Sequence, residues 1–183
     1  MTDAHSPILF LSGAGLPTWI WDEVSERLST VSAVAPRPAR HSDAPLSAYV
    51  EAAVDAAPPG RFAIVAHSSG GVVGAELARI LEDRVSSFLA ISAVIPTGTD
   101  SFVSAMPVPN RWILPPVMRL AGTRPPDKAI RRGLCGGLND DDVERIVAEF
   151  VPESQGQYMD RTAAHVWSSR HGVLLTTKDK ELT

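Results

Sequence analysis

AHSSGG, residues 66–71, marks a junction. The run before it, RFAIVAH (61–67), is apolar enough for a buried strand, and the run after it, GGVVGAELARILED (70–83), has helical spacing with Val73, Leu77, Ile80 and Leu81 on one side. Ser68 therefore stands on a strand-to-helix turn, with a small residue two positions before it, Ala66, and two after it, Gly70. This is the G-x-S-x-G nucleophile elbow with alanine in the first glycine place. The turn demands small residues because the nucleophile's backbone is strained and its neighbours press on the adjacent strand and helix. A serine at such a turn can instead cap the helix, but a strand before it and a helix after it favour the elbow. A nucleophilic serine also needs two backbone donors for the oxyanion it creates. The amide of the next residue, Ser69, supplies one, and SGAG (12–15), which follows the first strand, offers the Ala14 amide as the other. Each such donor contributes about 3 to 4 kcal/mol to the transition state. A plain flexible turn is the alternative reading of SGAG.

Outward from the elbow, apolar runs alternate with amphipathic ones. PILFL (7–11), VSAVAP (31–36), RFAIVAH (61–67) and SSFLAISAVIP (86–96) read as four strands, apolar enough to be covered on both faces. TWIWDEVSERLS (18–29) predicts a helix behind a Thr18 cap with Ile20, Val24 and Leu28 inward. LSAYVEAAVDAA (46–57) predicts another with Leu46, Val50, Ala53, Val54 and Ala57 on one face, stopped by Pro58, Pro59 and Gly60. Strand and helix in alternation make this an α/β chain with a parallel sheet. From Thr97 the pattern breaks. Seven of the 15 prolines fall between Pro96 and Pro126, which argues against a long helix there and predicts an irregular cap over about 97–165. Its residues Phe102, Met106, Trp112, Ile113, Leu114 and Met118 are apolar enough either to line a pocket or simply to pack. NDDDVERIVAEF (139–150) restores a helix, with acids in its first turn and Val143, Ile146, Val147 and Phe150 on one side. No element is assigned just after Pro152, and GVLLTTKD (172–179) reads as a fifth strand ending in an acid. The whole, 1–183, is one domain.

Composition narrows the function classes. At 183 residues and 44% hydrophobic, the chain can bury a real core, and a formal net charge of −4 without a basic block argues against nucleic acid as a partner. One cysteine, Cys135, excludes an internal disulfide and reads as a small buried hydrophobe. The absence of an export signal or an 18-residue apolar run leads to the expectation of a cytoplasmic protein without a membrane partner. His165 and His171 are six apart, off any shared helical face, so neither a metal nor any other cofactor is called for.

LFLSGAGLPTWIWDEVSERL (9–28) and VAHSSGGVVGAELA (65–78) together resemble the α/β-hydrolase superfamily, most of all its small serine esterases and hydroxynitrile lyases. The resemblance implies that Gly13 and Ala14 lie on the oxyanion loop, that Ser68 is the nucleophile, and that Asp179, in TTKDKELT (176–183), is the acid of a catalytic triad. It implies a serine hydrolase that acts on a small uncharged carboxylic ester through an acyl-enzyme. An esterase and a lyase would use the same groups. Ser12 occupies a place where the family more often has histidine, which leaves the rigidity of the loop open.

The base is harder to find. In this superfamily the order is serine, acid, histidine, and no histidine follows Asp179. His5 and His41 lie far upstream, His67 leaves its strand on the face opposite to the nucleophile, and His165 and His171 precede the acid. The expectation is that the 183 residues are an incomplete version of a longer hydrolase, nearly inactive for want of a triad histidine. Two other readings compete. One is a scaffold that binds a small molecule without turning it over. The other is a nicotinamide-dinucleotide site, since GAGLPT (13–18) resembles G-x-G-x-x-G and Arg37 and Arg40 in PRPAR (36–40) could suit a 2′-phosphate, although Pro17 crowds the loop.

Overall fold

A computed structural model describes residues 6–164 and 170–175. Five strands, β1 (Ile8–Leu11), β2 (Ser32–Val34), β3 (Phe62–His67), β4 (Val85–Ile91) and β5 (Arg170–Leu174), form one sheet in the order β2-β1-β3-β4-β5. Every neighbouring pair is parallel. The helices α1 (Asp22–Arg27), α2 (Leu46–Ala56) and α3 (Gly70–Ile80) make the crossovers. This order reverses direction once. The chain leaves β1 toward β2 on one side and returns to β3 on the other, so a crevice opens at the carboxyl ends of β1 and β3. The loop after β1 and the turn after β3 both border it.

The main core lies between the sheet and α2 and α3. Leu9, Phe62, Ile64, Ala66, Val72 and Leu77 are fully enclosed. In α3 the buried set is wider than one helical stripe, running from Gly70 to Ala78, while Ile80 turns out to solvent. The glycines permit this. A Cβ on Gly74 would lie 2.6 Å from the Phe88 ring, so the helix sits closer to β4 than any other residue there would allow. The strands are less evenly covered than their apolar character predicts: β3 alternates buried and half-buried residues, and Leu89 of β4 is 40% exposed. β5 starts two residues earlier than predicted and is exposed along its whole length.

The predicted first helix is corrected. A 3-10 turn, Thr18–Trp21, leads into the short α1, no side chain caps either, and Val24 and Leu28 are exposed. The anchor is Trp21 instead. Its ring stacks on Phe10 at a centroid distance of 4.6 Å and its indole N–H donates to Ser12 Oγ at 3.0 Å, so one large amphipathic side chain takes the place of the two exposed aliphatic ones.

Between β4 and β5 the chain forms α4 (Phe102–Ala105), α5 (Asn110–Ala121), α6 (Asp127–Leu134), α7 (Asp140–Glu149) and α8 (Gln155–Met159). The 12 residues of α5 contradict the expectation that proline would prevent a long helix, since Pro115 and Pro116 lie inside it. What they remove are the donors to the carbonyls of Arg111 and Trp112, four residues earlier. Both of those residues are exposed, so water can replace the lost bonds. The predicted α7 is present, capped by Asn139, whose side chain accepts from Asp142 N. Ile146 and Val147 of α7 join Leu16, Ile130, Cys135 and Phe150 in a second apolar cluster, against which Trp19 and Ile20 pack. That cluster fastens α6 and α7 to the loop after β1. Among the described residues no helix is long and apolar enough to cross a membrane.

Burial raises the Cys135 thiol above its ordinary pKa, an effect the nearby Arg131 opposes. With the thiol 5% exposed, iodoacetamide at pH 8 is expected to modify Cys135 at least about tenfold more slowly in the native chain than in urea; equal rates would contradict the packing of the second cluster.

Candidate active site

Ser68 has φ of 51°, and with Ser92, at 40°, it is one of two non-glycine residues with positive φ among those described. Such a backbone costs a residue with a Cβ about 1 to 3 kcal/mol and persists only where its surroundings enforce it. Here they do. Ser68 N donates to the Ser92 carbonyl at 3.2 Å, while its own carbonyl accepts from Gly71 N and from Val94 N, each at 3.1 Å. The turn between β3 and α3 is thus held by the chain leaving β4. The helix-cap alternative for this serine is not what is seen, because the residue at the cap position is Ser69 and no side chain caps α3. Ser69 is wholly buried at the first turn.

Glycines bring the two loops together. A Cβ on Gly13 would stand 2.9 Å from Ser68 Cβ and 2.9 Å from His67 Nδ1, so the loop after β1 lies directly on the elbow. A Cβ on Gly70 would stand 2.5 Å from the Leu11 carbonyl oxygen, and one on Gly71 2.5 Å from that of Val94. Ala14 is half-buried against the main core, in a turn closed by Leu16 N donating to the Gly13 carbonyl at 3.2 Å. Ser12 is tied by Trp21, which answers the question its identity raised about the stiffness of the loop. A cleft of about 50 Å³ runs beneath the loop, lined by Ser12, Gly13, Arg37, Tyr49, Gly70 and Gln157 among others.

The structure thus gathers Ser68, Ser69, Gly13 and Ala14 at one end of the sheet. Asp179 lies outside the described residues, as do His5 and His165. Of the described histidines, His67 adjoins the elbow, His41 lies in the loop after β2, two strands away from β3, and His171 is on β5. His171 pairs with Phe88, three residues back from the Leu174–Ile91 pair at the strand ends, or roughly 10 Å from the crevice.

Three of the cap residues considered for a pocket, Phe102, Met106 and Met118, are buried in the main core, and Leu114 packs against it. Trp112, 69% exposed, and Ile113, 51% exposed, face solvent. The dinucleotide alternative loses its features. Arg37 is committed to Glu153 and to the Leu16 carbonyl, and the Phe150 ring occupies the space above Gly15 that a phosphate would need. Arg37 was singled out only as a partner for a 2′-phosphate, and Glu153 and Tyr49 were not foreseen at this end of the sheet. Nothing local in the sequence signals them, since Glu153 lies 138 residues from the loop it touches.

Comparison with known proteins agrees with this geometry. The model of the Alpha/beta hydrolase family matches residues 8–183, although no curated protein matches the chain in sequence. An extracellular alpha/beta-hydrolase from a Paenibacillus species, described as structurally and functionally homologous to tobacco salicylic acid binding protein 2, superposes with a TM-score of 0.82 at 15% identity. That match covers 97% of this chain and 80% of the other. Polyneuridine aldehyde esterase follows with a TM-score of 0.74 at 14% identity over 97% of this chain and 82% of its own. A methylesterase from Arabidopsis gives 0.69 at 14% identity over 97% and 80%. At such identities the structures speak for the fold alone. The family match runs from the first strand to the last residue over a parallel sheet with a strained serine at its crossover point, and the chain belongs to the α/β-hydrolase family.

Proposed function

We propose that the protein is a serine hydrolase acting on a small carboxylic ester. The observation that carries this reading is Ser68, held at φ of 51° where Gly13 lies against it. Strain of this kind lifts the nucleophile out of the strand and clear of the helix. In the reaction, Ser68 Oγ forms a bond to the ester carbonyl carbon while the Ala14 and Ser69 amides hold the oxyanion. The bond to the leaving alkoxide then breaks, the serine proton ends on that alkoxide, and water releases the acid from the acyl-enzyme. A histidine oriented by Asp179 would carry the proton. Among the described residues, only His67 adjoins Ser68, and we propose accordingly that this chain turns over slowly. Loss of a triad histidine lowers turnover by about 10⁶, which leaves what binding and the oxyanion donors supply.

The test is a pre-steady-state reaction with p-nitrophenyl acetate in excess over the chain. One equivalent of p-nitrophenol per chain is expected, followed by a slow phase, with the acetyl group on the peptide that contains Ser68. Acetylation confined to lysines or the N-terminus would refute the reading, and a bound but unmodified ester would favour a binding protein on the same scaffold.

A further inference from the structure

Gly15 follows Ala14 in the turn after β1, and its φ of 76° at the third position of the Gly13–Leu16 turn is the type II arrangement. Type I and type II turns differ by rotation of the central peptide, here the one joining Ala14 to Gly15. Its N–H is held. Gly15 N donates to Glu153 Oε1 at 3.1 Å. The same oxygen accepts from Arg37 Nε at 2.5 Å, and Oε2 accepts from the Tyr49 hydroxyl at 2.9 Å. Arg37 also donates to the Leu16 carbonyl at 2.7 Å, so one carboxylate and its partner grip both halves of the turn. From the other side Val151 N donates to the Gly15 carbonyl at 3.1 Å, and the Phe150 ring fills the space a Cβ on Gly15 would occupy.

A buried carboxylate is an expensive way to fill a core, because its desolvation must be offset by several well-placed donors, and apolar packing would do as well for stability. Glu153 is 5% exposed and has three such donors, one of them the peptide adjoining Ala14. We infer that Glu153 is a positioning residue for acyl transfer: from the cap segment it anchors the Gly13–Leu16 turn through the Gly15 N–H and, with Arg37, through the Leu16 carbonyl, and so fixes the segment that carries the Ala14 amide. The inference rests on the reading of Ala14 as an oxyanion donor. Glu153 touches no reacting atom. It acts by restricting movement of the turn as a whole, which would otherwise have to stop at the moment of reaction.

The test compares Glu153→Gln with wild type in the full chain, by amide hydrogen exchange and by the rate of acylation with p-nitrophenyl acetate. Glutamine keeps the size but not the charge, so Gly15 and Arg37 no longer share a carboxylate. Exchange of the Gly15 amide is expected to accelerate at least about tenfold while that of Ser69 does not change. Acylation is expected to fall about ten- to a hundredfold, with the apparent affinity for the ester within about twofold of wild type. Ser154→Ala, which removes the hydroxyl that caps α8, is the stability control and is expected to acylate at the wild-type rate. If Glu153→Gln does not fold, Glu153→Asp keeps the charge, withdraws it by one methylene, and is expected to show the same two changes. Unchanged Gly15 exchange, a wild-type acylation rate, or an equal loss in Ser154→Ala would overturn the inference. Acylation that needs Ser68 but ignores Glu153 overturns this inference alone, whereas acylation that survives Ser68→Ala overturns the serine reading and this one with it.

Discussion

Ser68→Ala is expected to abolish the p-nitrophenol burst, leaving a rate indistinguishable from buffer plus lysine acetylation. The loss is total because the burst measures one bond, from Ser68 Oγ to the acyl carbon, and no neighbouring atom can replace it. Ser69 Oγ is the next hydroxyl in sequence, but it is buried within α3's first turn and has no hydrogen-bond partner there, so it is not presented to the crevice. The backbone should survive the change. Alanine carries the same Cβ into the same φ of 51°, and the four hydrogen bonds of the turn are made by main-chain atoms, so stability is expected to stay within about 0.5 kcal/mol. A folded, inert variant separates chemistry from structure. A burst of unchanged size would mean that another group is acylated.

Gly70→Ala is expected to show a large structural effect for a single methyl group. Its Cβ would lie 2.5 Å from the Leu11 carbonyl oxygen, 2.8 Å from that of Ser12 and 2.9 Å from the Leu11 carbonyl carbon. All three are backbone atoms, and Leu11 is fixed by its pairing with Ala66 in β3. No rotamer can relieve the clash, so the loop after β1 must move or α3 must tilt. A cost of about 2 to 3 kcal/mol is expected, a fall in Tm of about 5 to 10 °C for a chain of this size. Either movement also separates Gly13 from Ser68, so acylation should fall beyond what stability explains. Gly60→Ala is the comparison, because Gly60 has φ of 73° but open space around it, and its cost should be about 1 kcal/mol. Urea unfolding of the two variants decides the matter; equal midpoints would contradict the close approach of α3 to β1.

Much of this architecture was legible in the sequence because its signals are local. β3, the turn and α3 follow from residues 61–83, where an apolar run meets a glycine-rich helical one, and the parallel class follows from repeated alternation. What could not be read depends on partners distant in the chain. Tyr49 and Glu153 meet across 104 residues, and Arg37 and Glu153 across 116, with no periodicity linking them. The length of α5 was missed for a different reason. The rule that proline breaks helices counts lost donors, whereas their cost depends on whether the orphaned carbonyls face water. Trp21 was likewise passed over for an aliphatic stripe, although its buried ring and indole N–H are what secure the loop.

Treating the chain with a fluorophosphonate and locating the adduct by peptide mass spectrometry tests Ser68 as the nucleophile at the reacting atom itself. A single adduct is expected, on Ser68, slow to form and absent after heat denaturation. An adduct on another residue, or none while the folded chain still hydrolyses p-nitrophenyl acetate, would contradict that assignment.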